Sequence, residues 1–180
     1  MSELLDVLDE QGIQTGVSVQ RSEVHKNGLW HGTVHIYVCR MIGQKVEILV
    51  HLRSASKDLY PNTWDPVLGG HIQAGNTPIQ TVEEELSQEV GLSISPEDLI
   101  VGPIVKADKG SDKEFNHIFV YLFPSDASVY FKDNEVQEVR WMELDEVLRA
   151  FETAPTEWRP TCDEFLAAYP AVTSLLKAHS

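Results

Sequence analysis

The pattern of apolar and polar positions along the chain predicts strands interleaved with helices. Five segments have strand composition: 33–39, 46–53, 99–107, 115–123 and 136–142. The segments 144–152 and 161–169 have helical patterns, and Pro170 is expected to interrupt the last helical region. Strands and helices that alternate in this way predict an α/β domain, in which helices cover a mixed β-sheet.

The stretch from 69 to 92, GGHIQAGNTPIQTVEEELSQEVGL, joins a glycine-rich loop to an acidic helix. Thr77 as N-cap and Pro78 at the first helical position predict the start of this helix, and Gly91 predicts its end. One apolar stripe should pack on the sheet, formed by Ile79, Val82, Leu86 and Val90.

Two carboxylates stand at the border of that stripe. Glu85 and Glu89 are four residues apart and therefore neighbours on the helix, with Gln88 beside them and Glu84 farther round. Like charges at this spacing slightly destabilise a helix, whereas a cation between them would use their oxygens as Mg²⁺ or Mn²⁺ ligands. From the helix alone, a solvated acidic face is the favoured interpretation, and a metal site is the alternative.

Composition and charge restrict the classes of partner. The 180 residues, 42% of them hydrophobic, fit one domain with a full core. A formal net charge of −14 would repel nucleic-acid polymers and anionic membranes, whereas a metal could still bridge the protein to a small anionic substrate. Cys39 and Cys162 match no zinc or redox spacing, and no signal peptide or membrane span is evident, which predicts a cytoplasmic protein.

The loop and helix together resemble the Nudix box, whose pattern is Gly, five residues, Glu, seven residues and then R-E-U-x-E-E-x-G-U, where U is aliphatic. Six positions match in register: Gly70, Glu85, Leu86, Glu89, Gly91 and Leu92. The resemblance implies a Nudix fold, a mixed β-sheet sandwiched between α-helices. The chain is accordingly expected to be a single Nudix domain over 1–180, with a hairpin-like extension at about 1–30 and the box at 70–92.

The resemblance also implies a chemistry. Family enzymes bind Mg²⁺ through the box and activate water on a diphosphate, so Glu85 and Glu89 are expected as catalytic metal ligands, with Gln88 and Gly70 completing the metal site. A catalytic base outside the box is common in the family, and Glu135 is the candidate for that role, with Glu138 beside it. Ordinary acidic surface positions are the favoured interpretation of both residues. The expected function is metal-dependent hydrolysis of a small diphosphate compound, such as a nucleoside di- or triphosphate.

Three positions depart from the box, because Asn76 replaces the first glutamate, Glu84 the arginine and Gln88 one of the paired glutamates. Gln88 offers only a neutral amide oxygen, and Glu84 adds negative charge where the family has positive charge. These departures predict weakened hydrolysis. The alternative is a catalytically silent Nudix domain that binds a nucleotide or a protein partner.

A second resemblance, over most of the chain, is to the Nudix branch similar to isopentenyl diphosphate isomerase. It is carried by the stretch RSASKDLYPNTWDPVLGGHIQAG. It implies that Arg53 and Lys57 hold the substrate diphosphate. His71 and Trp64 are further candidate substrate-binding residues, and packing in the core or a loop is the equal alternative for Trp64. The isomerase needs a cysteine just before its Gly-His pair, and none stands there in this chain, so isomerase activity is not expected.

The isomerase resemblance raises the question of a second metal site at His25, His31 and His71. Ordinary loop or substrate-edge histidines are the favoured interpretation, since Glu114 is an available extra ligand but Asn116 stands at its partner position. The expected partner of the protein is a small anionic diphosphate compound rather than a nucleic-acid polymer or a membrane. The oligomeric state, a homodimer included, stays open.

Overall fold

The structure is a computed structural model, and it describes residues 3–57, 59–124, 131 and 136–178. The strands are β1 Leu4–Leu8, β2 Gln14–Gln20, β3 Trp30–Ile42, β4 Lys45–Arg53, β5 Trp64–Asp65, β6 Leu99–Lys109, β7 Asp112–Leu122 and β8 Val136–Glu143. The helices are α1 Arg21–Asn27, α2 Pro78–Glu89, α3 Leu144–Thr153 and α4 Cys162–Ala178. All five predicted strands and all three predicted helices are present, with β3 and β7 longer than expected.

Within the described residues the strands form one mixed sheet. Strand β3 is central: it pairs in parallel with β7 from Trp30 to Cys39 and antiparallel with β4 at its far end. Strand β6 adds to the outer edge of β7, and β8 adds to β4, both antiparallel. Strands β3 and β4 form a hairpin, and the predicted mixed sheet is confirmed.

Helices cover both faces of this sheet, which is why β3 is buried continuously from Trp30 to Cys39. Val34 and Ile36 point to one face, where they pack with Val82 and Leu86 of α2. Tyr37 and Cys39 point to the other face, in a cluster that includes apolar residues of α3 and α4. The structure thus confirms a mixed sheet sandwiched between helices.

The N-terminal extension is a hairpin, as expected, and it holds the loop that precedes α2. Strands β1 and β2 pair antiparallel. The Ala74 N–H donates to the Leu4 carbonyl at 2.8 Å, and the Gly75 N–H donates to the Asp6 carboxylate at 3.2 Å. Helix α1 follows the hairpin and was not predicted, because it has only seven residues and buries one side chain, Val24.

The expected interruption at Pro170 is wrong, because α4 continues from Cys162 to Ala178 with this proline inside it. An internal proline removes a backbone hydrogen bond and costs about 3 kcal/mol. The helix persists because Phe165, Ala168 and Val172 are fully buried on one face, on both sides of the proline. Among the described residues, no helix combines the length and the apolar character needed to cross a membrane.

Candidate functional site

The loop that precedes α2 runs alongside the central strand β3. The Ile36 N–H donates to the Leu68 carbonyl at 2.8 Å, and the Val34 N–H donates to the Gly70 carbonyl at 2.9 Å. A Cβ atom at Gly69 would overlap the Val34 carbonyl, so this close approach of two backbones requires glycine. One lone pair of the Gly70 carbonyl is used by Val34, and the second lone pair is the one a metal would use in the predicted role of Gly70.

Helix α2 begins and ends where the sequence predicts. Thr77 caps its N-terminus in a reciprocal capping box with Gln80. Gly91 follows the helix with a φ of 72°, a backbone conformation that favours glycine. These fixed ends set the rotation of the helix, with its apolar stripe on the sheet and the Glu85 and Glu89 side chains half-buried at the border.

Glu85 lies directly against the box glycine. A Cβ atom added at Gly70 would overlap the Glu85 carboxylate, so a larger residue there would displace this side chain from its observed position. Glu89 lies one helical turn farther on, at the wall of a cavity. Gln88, the third predicted metal ligand on the helix, is exposed.

We call this cavity the basic cavity. Its wall combines Glu89 with both predicted diphosphate-binding residues, Arg53 and Lys57. Its other lining residues include His51, Val67, Gly69 and Arg159. The structure therefore places Glu89, a predicted metal ligand on α2, at the same cavity as Arg53 and Lys57, the two residues predicted to bind the diphosphate.

A neighbouring cavity, the histidine cavity, shares Val67, Gly69 and Arg159 with the basic cavity. Its lining also includes Gly70 and the predicted substrate-binding residue His71. Thr33, His35 and Glu114 line it as well. The two cavities are thus adjacent, and the glycine pair of the box loop forms part of the boundary between them.

Two further predicted site residues have different surroundings. Trp64, in β5, packs on Trp158 with ring centroids 6.5 Å apart, and the Arg140 guanidinium lies 4.4 Å from its ring centroid. Among the described residues, those that line the two cavities do not include Trp64. Glu135, the predicted catalytic base, lies outside the described residues. The roles of both residues stay predictions.

Arg53 has a structural task in addition to its place at the cavity. Its guanidinium donates to the Leu59 carbonyl at 3.0 Å and to the Tyr60 carbonyl at 3.2 Å. These bonds hold a loop in which Tyr60 and Asn62 have positive φ angles of 51° and 57°. Such angles are uncommon for residues other than glycine, so Arg53 helps to stabilise the loop that leads to the site.

The three histidines of the possible second site form a cluster. His25 from α1, His31 from β3 and His71 from the box loop have ring centroids 5.2 to 5.3 Å apart. Their candidate ligand atoms all lie within 4.8 Å of one another, and His31 forms a second such group with Asp112 and Glu114. The structure therefore brings the three histidines together, and both the metal site and the interpretation as ordinary loop or substrate-edge histidines stay predictions.

The histidine cluster contains buried polar atoms without a partner. The His31 Nδ1 lies 3.1 Å from the Leu29 carbonyl, which can only accept, so Nδ1 carries the proton and Nε2 presents a lone pair. His31 Nε2, His25 Nε2 and the Asp112 Oδ1 are buried and have no hydrogen-bond partner among the described residues. Unpartnered buried polar atoms are costly unless a ligand satisfies them.

Burial also sets the charge of this cluster. It lowers the pKa of His31 to about 4, so its imidazole is neutral at pH 7. Burial raises the pKa of Glu114, whose Oε1 lies 3.8 Å from the His31 Nε2, to about 7. Neutral imidazoles and adjacent carboxylates are the ligands that a divalent cation such as Zn²⁺ or Mn²⁺ would take, and a cation would favour the ionised form of Glu114.

A divalent cation should raise the melting temperature of the chelator-treated protein, because it would satisfy buried lone pairs only in the folded state. We expect His25→Ala and His71→Ala each to abolish most of the shift produced by Zn²⁺ or Mn²⁺ in differential scanning fluorimetry. His117→Gln, on β7 and outside the cluster, is the matched control and should keep the full shift. Equal shifts in the cluster variants and the control would exclude these histidines as ligands.

The departures from the box include a compensating pair. The Asn76 Nδ2 donates to the Glu84 Oε2 at 3.2 Å, across the start of α2. Glu84 still adds negative charge to the helix, but its carboxylate has a donor in the residue that replaces the first glutamate of the box. Gln88 has no comparable hydrogen bond among the described residues.

Sequence reasoning missed three charged residues near the site. Asp65 is fully buried, and Arg159 from the segment before α4 donates to it at 3.1 Å. Asp112 joins the histidine cluster at the first position of β7. Asp65 follows Trp64 in the sequence, and Arg159 follows Trp158. The position of each charged residue directly after a tryptophan was a weak sequence signal, and the two tryptophans pair in the fold.

Comparison with known proteins agrees with these observations. The NUDIX domain model matches residues 29–167. An uncharacterized Nudix hydrolase of Clostridium acetobutylicum is 34% identical over 152 residues, which cover 82% of this chain and 73% of that protein. An isopentenyl-diphosphate Delta-isomerase of Cereibacter sphaeroides is 29% identical over 152 residues, covering 83% of this chain and 84% of that protein.

A solved structure extends the similarity to the whole fold. A crystal structure from Deinococcus radiodurans has a TM-score of 0.72 at 19% identity, and covers 93% of this chain and 99% of that one. The predicted fold and the predicted similarity to the isomerase branch are confirmed. Since the domain model matches well over half of the residues, the chain belongs to the Nudix family of hydrolases.

Proposed function

We propose that this protein hydrolyses a small diphosphate-containing compound with the help of Mg²⁺ or Mn²⁺. The observation that carries the proposal is the basic cavity, where Glu89 of the acidic helix shares a wall with Arg53 and Lys57. Glu85, one turn earlier, lies against Gly70, where a Cβ atom would displace its carboxylate. The groups proposed to bind the metal therefore lie beside the groups proposed to bind the phosphates, at the border of α2.

The residues of the site have complementary tasks. Glu85 and Glu89 would hold the metal, with Gln88 and the Gly70 carbonyl as further oxygen ligands. When bound, the metal would neutralise phosphate charge and lower the pKa of a coordinated water. Arg53 and Lys57 bind and orient the phosphates, while the two glycines of the box loop keep side chains out of the substrate's path.

Hydrolysis fits the site better than isomerisation. Val67, Leu68 and Gly69 occupy the positions where the isomerase resemblance requires a cysteine. Cys39 is buried in the core, where burial raises the pKa of its thiol, and Cys162 lies in α4. Neither cysteine lines either cavity among the described residues.

The test is chromatographic separation and quantification of the hydrolysis products of a panel of compounds, first with Mg²⁺ and then with Mn²⁺. The panel comprises nucleoside di- and triphosphates, nucleoside diphosphate sugars, dinucleoside polyphosphates and isopentenyl diphosphate. Metal-dependent hydrolysis of one class is the expected result. Binding of a compound without turnover would instead support the silent domain, for which the replacement of a box glutamate by Gln88 is the favouring observation.

Lys57→Ala should raise the KM of the hydrolysed compound by about tenfold while the melting temperature stays nearly constant, because Lys57 is half-buried at the cavity wall and outside the core. The measurement is steady-state kinetics combined with thermal unfolding. Lys45→Ala, which removes an exposed lysine far from the cavity, is the control and should leave KM unchanged. A large loss of stability with an unaltered KM would assign Lys57 to structure.

A further inference from the structure

Arg159 occupies the wall between the two cavities. It is among the residues that line both the histidine cavity and the basic cavity. Its backbone N–H donates to the Trp64 carbonyl at 2.9 Å, which fixes the start of its side chain against β5. Its side chain is 26% exposed, so a ligand in either cavity can reach the guanidinium.

A buried carboxylate holds the Arg159 guanidinium in place. The Arg159 Nη1 donates to the Asp65 Oδ2 at 3.1 Å, and the Asp65 side chain is fully buried. The Asp65 Oδ1 accepts from the Val67 N–H at 3.0 Å. Although burial opposes ionisation, Arg159, His51 and Arg53 together keep the pKa of Asp65 below its ordinary value. The arginine is therefore oriented before any ligand arrives.

Neutralising Asp65 does not use the full charge or the full donor set of Arg159. Arg53 already lies 3.5 Å from the same Asp65 oxygen. Guanidinium carries five N–H donors, and among the described residues Asp65 is the acceptor for the Arg159 side chain. The described lining of the basic cavity includes three cations, Arg53, Lys57 and Arg159, and one carboxylate, Glu89. Asp65 pairs with Arg159, and Glu114 lines the adjoining histidine cavity.

His35 supplies an independent sign of a ligand at this wall. Its side chain is 4% exposed, it lines the histidine cavity with Arg159, and its Nδ1 is a buried atom without a hydrogen-bond partner in the described part of the chain. The mechanism proposed above does not use His35. A ring nitrogen without a partner, in the cavity that the oriented guanidinium also lines, suits a phosphate: its oxygens accept from the guanidinium and, in the tautomer that carries the proton on Nδ1, from His35.

We propose that Arg159 and His35 form a phosphate-binding subsite between the two cavities, with Asp65 as the residue that positions Arg159. The inference rests on the proposed diphosphate substrate and adds a contact to those of Arg53 and Lys57. A planar guanidinium binds phosphate through two parallel N–H bonds, which gives orientation as well as charge. The subsite therefore orients one phosphate of the substrate while the other faces the acidic helix.

The test uses methylenediphosphonate, a diphosphate analogue that cannot be hydrolysed, and measures its Kd by calorimetry in the presence of Mg²⁺. Arg159→Met should weaken binding by at least about tenfold, equivalent to roughly 1.4 kcal/mol. Arg159→Lys should weaken it less, because it keeps the charge and loses the paired donors. Arg149→Met, an exposed arginine on α3, is the matched control and should bind as the wild type does.

Arg159→Met alone leaves Asp65 buried without its main partner and can unfold the protein. The double variant Asp65→Asn/Arg159→Met removes both charges, and its folding is checked by circular dichroism and thermal unfolding. A folded double variant should still bind the analogue at least about tenfold more weakly than the wild type. His35→Phe, which keeps the ring volume and removes the ring nitrogens, should weaken binding by at least about threefold.

The outcomes separate this inference from the proposed function. Wild-type affinity in the folded double variant and in Arg159→Lys would overturn the subsite and leave Arg159 as the counter-ion of Asp65, whatever the hydrolysis assay shows. An analogue that does not bind the wild type would also overturn it. Arg159-dependent binding by a protein that hydrolyses no compound on the panel would support the subsite and reject the hydrolase proposal.

Discussion

Replacing Glu89 with glutamine should reduce diphosphate hydrolysis by at least about a hundredfold, equivalent to roughly 2.7 kcal/mol in the barrier. The two side chains have nearly the same shape, so the cavity keeps its form and loses one negative oxygen ligand. Since Gln88 is already neutral, Glu85 would be the only anion left among the three predicted helix ligands. This substitution should therefore affect metal binding more than any other single change in α2.

The measurements for Glu89→Gln are kcat with saturating Mg²⁺ and the Mg²⁺ affinity by calorimetry. Glu83→Gln is the matched control, because it lies on the same helix, six residues earlier and on a different side. It should leave both quantities unchanged. A Mg²⁺ affinity in Glu89→Gln equal to that of the wild type would reject Glu89 as a metal ligand.

Restoring the missing glutamate should have the opposite effect. Gln88→Glu adds a carboxylate next to Glu85 and Glu89, so it should strengthen Mg²⁺ binding and raise turnover by at least about tenfold, roughly 1.4 kcal/mol. Without metal, the added charge increases repulsion along α2 and should lower the melting temperature. Mg²⁺ should reverse that loss, because it binds the folded site.

The other two departures from the box, Asn76 and Glu84, should be restored together. The box alone suggests that Glu84→Arg would increase the gain, but the structure shows the Glu84 carboxylate accepting from the Asn76 amide. Glu84→Arg by itself would lose this bond and place two donors together. Asn76→Glu/Glu84→Arg in the Gln88→Glu background restores an opposite-charge pair, and it should raise turnover above that of Gln88→Glu alone. A fully restored box that binds no Mg²⁺ and hydrolyses no compound would favour the silent domain.

Local patterns were sufficient to predict the core of the fold. The apolar runs of β3 and β4, the Thr77-Pro78 start and the Gly91 stop each depend on neighbouring residues, and all agree with the structure. Short α1 and uninterrupted α4 were not predictable in this way. In α4, the packing of Phe165, Ala168 and Val172 keeps the helix continuous past Pro170, and tertiary packing is not visible in a local pattern.

In the candidate site, too, some residues were predictable from the sequence and others depend on contacts formed only in the fold. Glu85, Glu89, Arg53 and Lys57 came from motif resemblance, and the structure places Glu89 at one cavity with both cations. Asp65 and Arg159 are 94 residues apart in sequence, so their contact follows only from the pairing of β5 with the segment before α4. The histidine cluster likewise joins a helix, a strand and a loop, whose proximity no spacing in the sequence reveals.

The central claim is that the acidic helix and the basic cavity act together as a metal-dependent diphosphate hydrolase. The most direct measurement is the rate at which the chelator-treated wild-type protein hydrolyses the best compound of the panel, as Mg²⁺ is titrated from zero to saturation. The account predicts no hydrolysis without metal and a rate that rises to a plateau as Mg²⁺ is added. A rate that is the same with and without metal, or the absence of hydrolysis of every compound with both Mg²⁺ and Mn²⁺, would contradict it.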